Sequence, residues 1–145
     1  MGLLQLMNRD WAIRYETYIA LNDIVRSHKE GPKLDLKSIE AKILNMDKPA
    51  QGREPYQVID KIAVIPVKGV LVKAPSAFER IFYGATGMID IKNKIIHALE
   101  NHGIDSILLD VDSPGGTVDG SLDLTDFIYE NRDAKKIVAF SDGMI

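Results

Sequence analysis

The sequence predicts an α/β fold with a mainly parallel sheet, and three observations support this class. From residue 62 onward, short runs of β-branched residues alternate with stretches whose apolar residues recur every three or four positions. This alternation of strands and helices is typical of right-handed βαβ crossovers. The chain has 145 residues, of which 46% are hydrophobic, so it can bury a substantial core. One buried apolar run stops at Ser113-Pro114-Gly115-Gly116, and open α/β sheets bind ligands at such strand ends.

The N-terminal part is predicted to be a helical extension. Between Asn8 and His28 the apolar positions predict one helix with a buried face, formed by Trp11, Tyr15, Tyr18, Ile19, Leu21 and Val25. A second, shorter helix is predicted after Pro32 by Leu36, Ile39, Ile43 and Leu44. Residues 48–55 form a polar connector punctuated by Pro and Gly. We therefore expect a helical extension and linker over residues 1–55 and an α/β domain over residues 56–145.

Three short β-branched runs follow the connector, at residues 58–59, 62–67 and 70–72. Pro66 predicts that the second run lies at a sheet edge or carries a bulge, because proline cannot donate a ladder hydrogen bond. Residues 73–87 lack a regular pattern. They predict a long loop, either a flap folded onto the core or a substrate-facing segment.

The remaining chain alternates helices and strands. Residues 88–101 predict a helix that stops at His102-Gly103, and residues 104–111 predict a buried strand. Residues 118–131 predict a helix whose inward side chains are Leu122, Leu124, Phe127 and Ile128, and residues 136–141 predict the next strand.

Composition and motifs exclude several function classes. The net charge of −3 gives no basic footprint for nucleic acid, and no run of about 18 apolar residues predicts a membrane span. Residues 1–7 are apolar but lack a basic leader, so no signal peptide is predicted. The absence of cysteine removes disulfides and thiolate sites. Gly115 and Gly120 have the outer spacing of a phosphate-binding loop, but Ser121-Leu122 stands where that loop needs Lys and then Ser or Thr, so no cofactor is predicted.

No metal site is predicted either. Asp110 and Asp112 lie two apart on one strand and share a face, but no histidine clusters with them in sequence. A structural role is therefore favoured over metal binding or acid–base chemistry. His28, His97 and His102 fall on predicted helix ends and faces, and none of them is paired with a nucleophile.

The Ser113-Pro114-Gly115-Gly116 turn carries the strongest chemical signal. Pro114 disfavours a helical Ser113, and the two glycines permit positive φ and a close backbone approach. Such a turn directs backbone N–H groups toward a bound anion or toward an oxyanion that develops during acyl transfer. A tight strand-to-helix turn without chemistry explains the same residues, and both interpretations stay open at this point.

The segment Asp112-Ser113-Pro114-Gly115-Gly116-Thr117-Val118 resembles the signature of the signal peptide peptidase A (protease IV) family of serine peptidases. Residues 107–111 before it and Gly120-Ser121 after it fit the same signature, and the resemblance extends from about residue 62 to residue 145. The helical extension and the lack of a membrane segment are more similar to the branch found in tailed phages and prophages, whose members process capsid or scaffold proteins. The resemblance implies a Clp-protease/crotonase-like fold, truncated here because its later strands would follow residue 145.

The resemblance also implies a Ser-Lys catalytic dyad that uses no histidine. Matched by position, the N–H of Gly116 belongs to the oxyanion hole, with Gly115 as the second choice. The family's serine comes a few residues after the strand that corresponds to residues 136–141, and its lysine comes several dozen residues later. We therefore expect nucleophile and general base to be absent from this chain and the chain alone to be inactive. Ser141 matches the end of the strand, and Lys135 and Lys136 are interpreted as solvated charges.

A protein or peptide substrate, a homo-oligomer and a location in the bacterial host cytoplasm or the virion precursor are the corresponding expectations. Two other functions remain open. A crotonase-type acyl-CoA enzyme also uses backbone N–H groups against an oxyanion, although Ser113-Pro114 before the paired glycines favours the peptidase. A non-catalytic assembly or regulatory protein on the same scaffold is the second alternative.

Overall fold

Residues 9–31 and 54–141 are described by the computed structural model. Their elements are, in chain order, β1 (Trp11–Ile13), α1 (Tyr15–Glu30), β2 (Gln57–Ile59), β3 (Ile62–Lys68), β4 (Leu71–Val72), α2 (Ala77–Tyr83), β5 (Thr86–Gly87), α3 (Met88–Glu100), β6 (Ser106–Asp112), β7 (Gly115–Thr117), α4 (Ser121–Asn131) and β8 (Lys136–Phe140). They form two mainly parallel sheets with helices between the strands, which confirms the α/β class.

The β-branched runs build the larger sheet, in the order β2-β3-β6-β8. β6 is parallel to β3 on one side and to β8 on the other, whereas β2 is antiparallel to β3. Successive side chains of a strand point to opposite faces, so alternate residues of β3 and β6 reach the same side of the sheet. That side is the main core, with Ala63, Ile65, Val67, Ile107 and Leu109 all buried.

Helices α3 and α4 cover this face of the larger sheet. α3 contributes the fully buried Ile91 and Ile95, and Leu124, Phe127 and Ile128 of α4 pack against the same cluster. The expectation that Leu122 also faces inward is wrong, because its side chain is 70% exposed. Leu122 lies two residues before Leu124, and residues two apart on a helix do not share a face.

The smaller sheet has the order β1-β7-β4-β5, with β1 antiparallel to β7 and the other pairs parallel. Its apolar cluster is separate from the main core. The cluster comprises the buried Leu21, Val70, Val72 and Ala85, with Trp11, Ile13 and Tyr83 packed against them. Leu21 of α1 therefore attaches the N-terminal segment to the smaller sheet.

The helix predicted from Asn8 begins only at Tyr15, and Trp11–Ile13 is a strand instead. The local apolar spacing did not reveal this strand, because its hydrogen-bonding partner β7 lies about a hundred residues later. The second predicted helix, at residues 36–44, lies outside the described residues, as does most of the connector. The boundary between residues 55 and 56 stays a prediction.

Residues 73–87 are not one irregular loop, as the sequence pattern predicted, because they contain α2 and β5. Ser76 and Glu79 form a capping box at the start of α2, and Gly84 ends it in a left-handed conformation. The helix predicted from Val118 likewise begins only at Ser121, because Gly120 directly before it has a left-handed conformation with a φ of +91°.

Pro66 lies where one side of β3 has no ladder partner among the described strands. β2 pairs only with Ile62 to Val64, so Pro66 is paired with β6 alone, opposite Asp110. The prediction that this strand lies at a sheet edge or carries a bulge is therefore wrong, because β3 lies between β2 and β6 and keeps a continuous register with β6. Proline is accommodated because β2 ends before it and leaves one side of β3 unpaired there among the described strands.

Candidate functional site: the glycine strand β7

Ser113 holds the turn between β6 and β7. Its side chain is 5% exposed, and its Oγ donates to the carbonyl oxygen of Gly69 at 2.7 Å. The same Oγ accepts the N–H of Gly115 at 3.2 Å. One hydroxyl thus connects the turn to the loop after β3 and satisfies a backbone donor inside the turn, so the N–H of Gly115 already has a partner.

The two glycines of β7 lie between the backbones of β1 and β4. A Cβ on Gly116 would overlap the carbonyl oxygen of Leu71 and lie 2.6 Å from its carbonyl carbon. A Cβ on Gly115 would overlap the carbonyl oxygen of Ala12, and Gly115 has a φ of +106°. Both positions therefore require glycine, one for the close approach alone and the other also for its backbone conformation.

The N–H of Gly116 is directed at β1. Ladder bonds flank this position on both sides, from the N–H of Val118 to the oxygen of Asp10 at 2.9 Å and from the N–H of Arg14 to the oxygen of Pro114 at 3.1 Å. Opposed residues in an antiparallel pair alternate between exchanging hydrogen bonds and not exchanging them. The pair Ala12 and Gly116 lies two residues from each of these bonded pairs, so it is also a hydrogen-bonded pair. The N–H of Gly116 therefore donates to the carbonyl oxygen of Ala12.

The two residues predicted for the oxyanion hole therefore lie together on β7, but their N–H groups are engaged. Gly115 donates to Ser113, and Gly116 faces the carbonyl of Ala12. The sequence predicted a turn with free N–H groups and carried no signal for the strand that pairs with it. Their role as oxyanion donors stays a prediction.

A lysine and two carboxylates lie just beyond the end of β7. Nζ of Lys73 lies 3.0 Å from Oδ1 of Asp119 and 3.6 Å from Oδ2 of Asp123. The hydrogen bond and the charge of Asp119 raise the pKa of the Lys73 ammonium above its ordinary value. Lys73 is thereby kept protonated, which does not suit a general base.

A buried carboxylate lies beneath the start of α2. Glu79 is 1% exposed, and its Oε1 accepts Nη1 of Arg9 at 2.8 Å. Its Oε2 accepts the backbone N–H and the Oγ of Ser76, both at 2.7 Å. The spacing of Ser76 and Glu79 is the capping-box signature, a local signal that could have identified α2 from the sequence. The ion pair with Arg9 carried no such signal.

The other polar candidates have structural partners. Asp110 forms a 2.8 Å ion pair with Lys68, and Asp112 accepts the N–H of Gly69 on its backbone oxygen at 2.9 Å. No group of three metal-ligating side chains occurs in the described residues. The ion pair is consistent with the structural role expected for Asp110.

Two of the three histidines can be placed, since the side chain of His28 lies outside the described set. Nδ1 of His97 lies 3.0 Å from the hydroxyl of Tyr56 and 3.3 Å from a carboxylate oxygen of Glu54. Both partners lie in the segment just before β2, so His97 is not part of the β7 site. His102 follows the end of α3 and is exposed.

The interpretation of Lys135 as a solvated charge is wrong. Its Nζ donates to the backbone oxygens of Ala98 at 2.9 Å and Asn101 at 2.6 Å. A cation is stabilised there because the last carbonyls of a helix carry partial negative charge. Lys136 is exposed, as expected.

Comparison with known proteins identifies two relatives of this chain. Both are phage proteins. Capsid assembly protease C of Escherichia phage lambda is 41% identical over 98 residues, which cover 68% of this chain and 22% of that protein. Head-tail preconnector protein GP5 of Enterobacteria phage P21 is 39% identical over 93 residues, which cover 62% of this chain and 18% of that protein. The chain thus spans about a fifth of the length of these curated relatives.

No family model and no solved structure matches the chain. Within residues 9–31 and 54–141, none of the helices has the length and hydropathy that a membrane crossing requires.

Proposed function

We propose that this chain supplies the oxyanion-binding part of a Ser-Lys endopeptidase of the protease IV type that processes phage head proteins. One observation carries the proposal, namely the 41% identity over 98 residues to a phage capsid assembly protease. The name of that relative points to protein substrates and to the assembling capsid. The position of the glycine strand β7 directly after the parallel strand β6 supports the chemical part of the proposal, in which the domain has a Clp-protease/crotonase-like fold.

The proposed role of Gly116 follows from the charge that develops during acyl transfer. Attack of a serine oxygen on a peptide carbonyl turns that carbonyl oxygen into an oxyanion, and a fixed backbone N–H stabilises it. The absence of a Cβ at Gly115 allows a substrate backbone to approach β7 as closely as Ala12 does, and the absence of a Cβ at Gly116 allows β4 to support β7 from the other side. Removing one such donor typically lowers kcat by about two to three orders of magnitude.

The nucleophile and the base are proposed to come from outside these 145 residues. Lys73 is paired with carboxylates, and Lys135 is bound to the end of α3, so neither is poised to take a proton from a serine. The chain alone is therefore proposed to be inactive. Stoichiometric labelling of the isolated chain by a serine-reactive fluorophosphonate would contradict this.

A segment exchange tests the proposal. The matching 98-residue stretch of the phage lambda protease is replaced by that of this chain, and capsid assembly is followed in infected cells. We expect the chimera to support assembly and to react with a fluorophosphonate. A chimera that folds, as judged by circular dichroism, but neither reacts nor supports assembly would overturn the peptidase proposal.

A non-catalytic assembly role is the second candidate, and the name of the second relative favours it. Head-tail preconnector protein GP5 is named for a structural position and not for a reaction. Under this alternative the chain co-purifies with a full-length homologue and leaves its fluorophosphonate reactivity unchanged.

A further inference from the structure

We propose that β1 is an internal occupant of a peptide-binding edge on β7, and that β1 must leave before this edge accepts an extended peptide from another protein. The proposal rests on the proposed function in one respect, since it identifies the peptide as the substrate strand. The edge itself is defined by the described backbone alone.

The pairing of β1 with β7 has the geometry of an added strand. Trp11–Ile13 runs antiparallel to Gly115–Thr117, with Ala12 opposite Gly116. Main-chain hydrogen bonds of this kind provide affinity when a peptide extends a sheet, and pockets for alternate side chains provide specificity. β1 therefore contacts β7 as a peptide from another chain would.

The alternate side chains of β1 indicate which peptides fit. Trp11 and Ile13 are half-buried against the apolar cluster of Val70, Val72 and Ala85, whereas Ala12 between them is exposed. The edge thus accepts an extended segment with apolar side chains at two alternate positions. The central residue contributes its backbone.

The N-terminal segment is attached through a small contact. β1 has three residues, and among the described side chains of α1 only those of Leu21 and Val25 are buried. The cluster that receives β1 is separate from the main core, so β1 can detach without opening the larger sheet. Outside the ladder, an ion pair between Arg9 and the buried Glu79 also holds this segment.

The presence of β1 explains why the N–H of Gly116, the predicted oxyanion donor, is already hydrogen-bonded. With β1 in place, the carbonyl of Ala12 holds the N–H of Gly116, and no substrate carbonyl can use that donor. When β1 leaves, the same N–H and the apolar cluster become available together. Occupancy by β1 and binding of a peptide are therefore mutually exclusive.

A reversible disulfide provides the lock for the test. Trp11 and Thr117 lie opposite each other, next to the hydrogen-bonded pair Ala12 and Gly116, and so form a non-hydrogen-bonded pair. The Cα atoms of such a pair lie about 4.5 Å apart, which is within the range of a disulfide. The chain contains no cysteine, so Trp11→Cys with Thr117→Cys can form no other intramolecular disulfide. The reduced double variant is the matched control for the oxidised one.

The probe is a fluorescein-labelled synthetic peptide with the sequence of residues 9–14, and its binding is measured by fluorescence anisotropy on the full 145-residue chain. Ala12→Pro in the protein removes the central donor of β1 and weakens its pairing. We expect this variant to bind the peptide at least about tenfold more tightly than the wild type, because apparent affinity scales with the open fraction. A peptide that carries proline at its alanine position is the control and should not bind.

The oxidised lock should abolish peptide binding, and reduction should restore it. Arg9→Met, which removes the ion pair with Glu79, should also raise the affinity for the peptide. The proposal would be overturned by equal peptide binding to the oxidised and reduced proteins. It would also be overturned if neither Ala12→Pro nor Arg9→Met raised the affinity for the peptide. The NMR resonances of the backbone amides of β3 and β6 verify that each variant is folded. The peptide-binding measurement requires no catalysis, so its result is independent of the segment exchange with the phage lambda protease. An inactive chimera would refute only the peptidase proposal. An active chimera, together with a chain that fails to bind the peptide, would refute only the role of β1.

Discussion

Nη1 of Arg9 lies 2.8 Å from Oε1 of Glu79, and this contact joins the start of the N-terminal strand to a carboxylate that is 1% exposed. Glu79 also caps α2 through Ser76. The buried carboxylate therefore has a cationic partner, Arg9, and a capping partner, Ser76. The position of β1 and the stability of α2 depend on the same side chain.

Arg9→Met should destabilise the folded chain by about 2 kcal/mol. Removing one partner of a buried ion pair leaves an uncompensated charge, although the partial exposure of Arg9 reduces the loss. The measurement is urea unfolding followed by circular dichroism. In the double variant Arg9→Met/Glu79→Gln the charge is gone, so the Arg9 substitution should cost less there than in the wild type. Equal costs in both backgrounds would show that the two side chains do not interact.

Ser113→Ala should cost about 1–3 kcal/mol of unfolding free energy, because the N–H of Gly115 and the oxygen of Gly69 both lose their hydroxyl partner. Ser121→Ala is the matched control. Its hydroxyl makes an exposed bond to Val118, so its removal should change stability by no more than about 0.5 kcal/mol. Similar losses in the two variants would contradict the role assigned to Ser113.

Tyr83→Phe should stabilise the protein by about 1 kcal/mol at pH 7. The Tyr83 hydroxyl is buried and has no hydrogen-bond partner among the described residues, so phenylalanine removes an uncompensated desolvation cost. Tyr15→Phe, at a site that is 73% exposed, is the control and should be neutral.

The same substitution should flatten the alkaline pH dependence of stability. Burial, with the neighbouring charge of Glu79, raises the pKa of Tyr83 well above its ordinary value. The folded state therefore keeps this proton after the unfolded chain has lost it. Stability from this group is intact below about pH 10 and falls as pH rises beyond that value. Tyr56, whose pKa is also raised by burial, should leave a smaller residual slope in Tyr83→Phe. An unchanged slope would contradict the assignment to Tyr83.

Gly116→Ala should destabilise the chain by about 3 kcal/mol or prevent β7 from pairing, because the new Cβ meets the Leu71 backbone, which cannot rotate away as a side chain can. Gly103→Ala is the control, since its Cβ would lie 3.2 Å from the end of the Asn101 side chain. Thermal unfolding of both variants is the measurement. A Gly116→Ala protein as stable as the Gly103→Ala protein would show that β7 does not pack closely against Leu71 of β4.

The sequence predicted the elements whose signal is local and periodic. β3, β6, β8 and α3 lie where their apolar patterns placed them, because the buried face of each element repeats every two or 3.6 residues. α2 had a local signal in Ser76 and Glu79, but the glycines and proline around it favoured a loop. In that segment the capping box was the more informative pattern.

The state of the glycine site could not be predicted from the sequence. Ser113-Pro114-Gly115-Gly116 correctly indicated a close backbone approach at the end of β6. Which backbone approaches depends on a strand about a hundred residues earlier, and three residues such as Trp11–Ile13 carry too little periodicity to be recognised. The contact of Arg9 with Glu79 is equally non-local.

Hydrogen exchange of the Gly116 amide tests the central claim most directly. We expect this amide to exchange faster than that of Leu109 in the main core, because β1 opens without the larger sheet. In Ala12→Pro it should lose most of its remaining protection while Leu109 is unchanged. A Gly116 amide that exchanges as slowly as that of Leu109 in both proteins would contradict the account, because its donor would then never become available to a substrate.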